Sequence, residues 1–313
     1  MNNTITANPN LWSQYRGEVF KWRKHRMFML LVAAPFLLTA IIILGAFLSA
    51  NRGSMSSLDN MSFASGEFGV PAYDLGRGGA FSFIASIYSS GFFGLYHIAI
   101  LVACANCVFN EFNWRTIKMI ASRQPSRTTI ILAKVLFVFT LIVACYIALI
   151  LSWILVSLFF KLYYTGALVL TENDFDSLSK GRLHFALRFL ATFVWALLIM
   201  AVAYRTKSIV GAFLIYFAYN TIESFMSTFG ATVLNNPQYT QYATGITRTL
   251  ADMAGALYPV WLTTHLNRVT VLPQNPTVVA SLSPDTSWIM ICLYIVAFFG
   301  LAVLIFGNRD IKE

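Results

Sequence analysis

Residues 27–50, M-F-M-L-L-V-A-A-P-F-L-L-T-A-I-I-I-L-G-A-F-L-S-A, run for 24 positions without a charged side chain. A helix crossing roughly 30 Å of hydrocarbon needs about 20 apolar residues at 1.5 Å each, so this stretch predicts a membrane span. Pro35 within it predicts a kink, which neighbouring helices can accommodate. The run begins only after 26 residues, carries no charge and is too long for a signal-peptide core. It is expected to be a retained span and not a cleaved leader.

Five further stretches meet or approach the same length: 81–109, 135–160, 184–204, 209–230 and 287–307. The one at 81–109 exceeds the requirement, so it tilts or protrudes. Of the 313 residues, 58% are hydrophobic and 11% charged, against about 25% charged in a typical soluble domain. A chain this short cannot bury that much apolar surface in water, so lipid must cover the excess. No internal repeat or low-complexity linker divides the chain, and 1–313 is expected to be a single transmembrane domain.

The net charge of +9 is unevenly spread. With six spans both termini share a side, and the segments on that side hold 14 Lys and Arg, while the longer opposite segments hold 7. The positive-inside rule therefore puts both termini in the cytoplasm, and assigns the charge to a membrane face and not to nucleic acid. The cysteines, Cys104, Cys107, Cys145 and Cys292, all lie in apolar stretches. Cys104 and Cys107 form a C-x-x-C inside a predicted helix with nothing nearby to complete a metal site, so they are expected to pack.

Residues 11–26, L-W-S-Q-Y-R-G-E-V-F-K-W-R-K-H-R, place Leu11, Tyr15, Val19 and Trp22 on one helical face. Gln14, Glu18, Lys21 and His25 fall on another. Trp12, Tyr15 and Trp22 with basic residues opposite suit a helix lying in the membrane interface, or a simple anchor before the first span. Within the last outer segment, residues 250–264 are apolar but interrupted by Asp252, Gly255 and Pro259. They are too short to span, and a re-entrant or outer helical hairpin is expected.

The segment 111–134, E-F-N-W-R-T-I-K-M-I-A-S-R-Q-P-S-R-T-T-I-I-L-A-K, joins two spans on the cytoplasmic side. Asn113 can cap a short helix beginning at Trp114, Pro125 ends it, and Ser126 can cap the next span. A short amphipathic helix held between two spans can act as a lever, because a partner that moves it moves both. Composition leaves open a positive loop that merely touches headgroups.

The pattern E-F-x-W-x-T-x-K…R-x-P-S-R…L-A-K resembles the cytoplasmic loop of ATP-binding-cassette transporter permeases of the type-2 exporter family. The resemblance implies an all-α integral membrane protein with six transmembrane helices. It also implies an interfacial elbow helix, a cytoplasmic coupling helix between spans two and three, and short outer helices before the last span. Glu111, Trp114, Arg115, Thr116, Lys118, Arg123, Pro125 and Arg127 are then the docking surface for a separate nucleotide-binding ATPase subunit. That subunit would bind ATP and Mg; this chain contains no G-x-x-x-x-G-K-[ST] segment, and no cofactor of its own is expected. A second permease subunit, identical or different, is implied, with membrane lipid as the surroundings and the prokaryotic cytoplasmic membrane as the location.

Charges within spans are costly and face the bundle interior. Arg188 and Glu223 are expected to pair or to line the outer half of the translocation path, and Asn220 shares the Glu223 face. His97 is expected to be a hydrogen-bonded packing residue, and Asp174 with Asp176 an acidic turn in an outer loop. Two other functions compete. An ATP-independent secondary transporter would show inverted repeats with several midplane charges. A membrane-anchor subunit of an enzyme complex would need paired His or a carboxylate cluster in its spans. Neither pattern is present in the sequence.

Overall fold

The computed structural model describes residues 11–23, 25–51, 93–113, 127–165, 170, 172–235, 245–257, 259–262, 264–265 and 284–307. Among them every regular element is a helix: α1 (Leu11–Arg23), α2 (Arg26–Asn51), α3 (Phe93–Asn113), α4 (Arg127–Thr165), α5 (Glu172–Thr206), α6 (Ile209–Asn235), α7 (Ile246–Leu257) and α8 (Pro284–Gly307). Five of these contain stretches long and apolar enough to cross a membrane: Arg26–Leu44, Thr128–Tyr163, Arg188–Thr206, Ile209–Gly230 and Asp285–Ile305. The described residues form an all-helical membrane protein. Of the expected span at 81–109, residues 93–109 lie in α3, whose apolar stretch Leu95–Asn110 is shorter, and 81–92 lie outside the described residues.

Both α4 and α5 start ahead of their apolar runs. α4 begins at Arg127, directly after Ser126, the cap expected for that span, and α5 begins at Glu172 instead of 184. Hydropathy marks only the lipid-compatible part of a helix, whereas backbone hydrogen bonding continues through polar residues until a breaker intervenes. Glu172 and Asp174 in the first turn of α5 also suit the positive end of its dipole. Asp174 therefore lies in a helix and not in a loop turn, and it is fully buried in an ion pair with Lys161 near the end of α4.

α5 is the centre of the bundle and packs against α3, α4, α6 and α8. In its apolar stretch 61% of residues are buried, against 11–17% in those of α2, α6 and α8, which form the periphery. α5 and α6 are joined by Lys207 and Ser208 alone, with Lys207 in the left-handed region at φ 52°. Ser208 Oγ accepts the Gly211 amide at 3.2 Å and so caps α6. A Cβ at Gly211 would lie 3.3 Å from Thr206 Cβ, so this hairpin is closely fitted.

The Pro35 kink has a defined chemistry. Proline lacks the amide that would donate to the carbonyl four residues earlier, which is that of Leu31. Tyr96 on α3 supplies the missing donor: its hydroxyl lies 2.9 Å from Leu31 O and 3.2 Å from Cys145 O. On the other side of the kink, Pro35 O accepts from Thr39 and from Ser152, each at 2.9 Å. Backbone freed by a proline in a span is thus satisfied by side chains of α3 and α4.

Candidate functional site

The end of the bundle that carries α1 brings together the elements flanking 114–126. Arg127 starts α4, and Lys134 lies two turns further on, only 1% exposed. Its ammonium lies 3.4 Å from Glu18 Oε1 on α1 and donates to Cys107 O on α3, also at 3.4 Å. Glu18 is itself buried and accepts a second ammonium, Lys21, at 3.1 Å. Next to this cluster Trp22 stacks on Phe137 with centroids 6.0 Å apart. One buried cation therefore holds three helices, satisfied by a carboxylate and a carbonyl as a buried charge requires.

Glu18 was expected on the polar face of α1. Instead it joins Tyr15, Val19 and Trp22 on the side turned to protein, while Trp12 is 53% exposed. The reason is tertiary: Lys134 meets Glu18 across 116 residues of sequence, a pairing that helical periodicity cannot encode. Lys134 lies in α4, in the turns between the expected cap Ser126 and the apolar run. Of the expected docking residues, Glu111 lies in the last turn of α3 and Arg127 opens α4. Trp114, Arg115, Thr116, Lys118, Arg123 and Pro125 lie outside the described residues.

A second polar cluster joins α3, α4, α5 and α6 inside the bundle. Thr192 Oγ1 donates to Arg188 O at 2.9 Å, and His97 Nδ1 and Tyr146 Oη lie 2.9 Å and 2.7 Å from the same hydroxyl. A threonine hydroxyl has one proton and two lone pairs. With its proton on the carbonyl, Thr192 must accept from both His97 Nδ1–H and Tyr146 O–H. His97 Nε2 lies 3.4 Å from Tyr216 Oη. His97 is thus hydrogen-bonded through both ring nitrogens, as expected of a packing residue. Thr192, Tyr146 and Tyr216 were not anticipated, since nothing in their local sequence distinguishes them from other span residues.

Arg188 begins the apolar stretch of α5 and is an electrostatic neighbour of His97 and Tyr146. Glu223, fully buried on α6, has Tyr219 and Tyr294 as its electrostatic neighbours. Asn220 is half-buried, one turn before Glu223 on the same helix. Tyr294 also donates to Val260 O at 2.7 Å. Residues 259–265 are further tied to α8 by buried His265, whose Nε2 donates to Pro259 O at 2.7 Å while Nδ1 lies 3.2 Å from Ser287 Oγ. Burial holds the His265 pKa below its ordinary value, opposed by the hydrogen bond to Pro259.

Cys104 and Cys107 are thiols buried in the core. No protein-family model, curated protein or solved structure matches the chain.

Proposed function

We propose that this chain is the permease subunit of an ATP-binding-cassette exporter of the type-2 family, forming the translocation path and driven by a separate ATPase subunit. The observation that carries the reading is the three-way anchorage of Lys134. The segment 114–126 links α3 to α4, and Lys134 ties α4 to α3 through Cys107 and to α1 through Glu18. A force on 114–126 therefore acts on α1, α3 and α4 together, which is what a lever between an ATPase and a membrane path requires. The sequence pattern of 111–134 supplies the resemblance, and the basic excess assigns this end to the cytoplasm, where ATP is.

On this reading the complex holds two permease subunits and two ATPase subunits in a prokaryotic cytoplasmic membrane, with both termini inside. The cargo is a peptide, drug or lipid-like molecule. Residues 250–264 form an outer or re-entrant hairpin. Arg188, Asn220 and Glu223 are assigned to the outer half of the path, because ionisable groups in spans face the bundle interior. The test is the triple substitution R115A/K118A/R123A in the full chain, co-expressed with its ATPase. The expected result is loss of ATP-dependent export with unchanged membrane level. Undiminished export would reject the loop as the coupling element.

A further inference from the structure

α1 turns its apolar side to protein: Tyr15 and Val19 pack on the core, and Trp22 belongs to it. That side is therefore closed to lipid. The adjoining side, roughly 100° round the helix, carries Trp12 and Phe20, 53% and 66% exposed, with exposed Arg16 and Arg23. At 100° per residue these four fall within about 80° of one another. The Arg16 guanidinium stands 5.2 Å from the Trp12 ring centroid. The only acid of α1, Glu18, faces the other way and is engaged by Lys21 and Lys134. The exposed face of α1 is thus cationic and aromatic and carries no carboxylate of its own.

We propose that this face binds the headgroups of anionic phospholipid, with Arg16 and Arg23 on the phosphates and the rings of Trp12 and Phe20 at the acyl boundary. Its position favours lipid over an acidic protein. Arg23 ends α1 only three residues before Arg26 begins α2, so the face lies where the first apolar stretch enters the membrane. Trp is enriched at that level, and basic side chains there are drawn to acidic headgroups. The inference does not depend on the transport reading.

The test uses the full chain in phosphatidylcholine vesicles containing equal minor mole fractions of brominated phosphatidylglycerol or brominated phosphatidylcholine. Trp12 emission is isolated as the difference between the native chain and W12F. Brominated phosphatidylglycerol is expected to quench Trp12 several-fold more strongly than brominated phosphatidylcholine. In R16Q/R23Q the two lipids are expected to quench to the same extent. Equal quenching in the native chain, or a preference that survives R16Q/R23Q, overturns the proposal. Absence of quenching by either lipid also overturns it, and assigns the face to water or to an acidic protein.

Discussion

Lys134 on α4 and Glu18 on α1 form a buried ion pair at 3.4 Å, so an N-terminal helix outside the spans is fixed to the base of one of them. Glu18 is held by two cations, Lys134 at 3.4 Å and Lys21 at 3.1 Å. K134M leaves Glu18 with Lys21 and fills the Lys134 volume, whereas K21M/K134M removes both cations from a buried carboxylate. The double variant is therefore expected to lose about 3 kcal/mol or more, and clearly more than K134M alone. Thermal unfolding of both variants in detergent measures the order, and equal losses would contradict the assignment.

Tyr96 and Pro35 are linked through Leu31 O. Y96F should leave that carbonyl without a donor and cost about 1–3 kcal/mol. In a P35A background the restored amide of residue 35 can donate to Leu31 O, so the same Y96F change should cost much less. A double-mutant cycle on unfolding free energy checks this; strictly additive effects would show that Tyr96 is not the surrogate donor.

Thr192 accepts two hydrogen bonds and donates one, whereas Tyr146 contributes a single donor. T192V keeps the shape but removes the acceptor that His97 Nδ1–H and Tyr146 O–H share, and is expected to cost about 2–4 kcal/mol. Y146F removes a donor and leaves Thr192 its other partners, so it should cost about 1 kcal/mol. Unfolding midpoints of the two variants give the comparison, and equal losses would break the proton assignment.

His265 makes the contact between residues 259–265 and α8 pH-dependent. Its folded pKa lies below its unfolded value near 6.5, so the neutral form is favoured by folding. The stabilisation is complete above pH 6.5 and is lost as pH falls from there through the folded pKa. Hydrogen exchange of residues 259–265 should accelerate over that acid range in the native chain and not in H265Q. An acid response that persists in H265Q would place the sensor elsewhere.

The spans were legible because lipid imposes a length and a composition that any window of about 20 residues reveals. Pro35 was legible as a kink, yet Tyr96 as its remedy was not, since the two lie 61 positions apart and meet only through packing. Local periodicity put Glu18 with the polar residues of α1, and a single cation from α4 reversed that. Asp174 looked like a turn because acidic residues at the start of a long helix resemble a loop until the helix dipole and Lys161 are considered. Arg188, Asn220 and Glu223 were visible as charges and amides among apolar residues. Their neighbours, mostly tyrosines, carry no such mark.

The central claim is that 111–134 couples this chain to an ATPase. Its most direct measurement is the composition of the complex captured on the full chain from its native membranes in mild detergent, quantified by mass spectrometry. The account predicts a P-loop ATPase subunit at equal stoichiometry, lost in R115A/K118A/R123A while the chain itself is retained. A chain that transports its cargo without ATP and without any such subunit would contradict it.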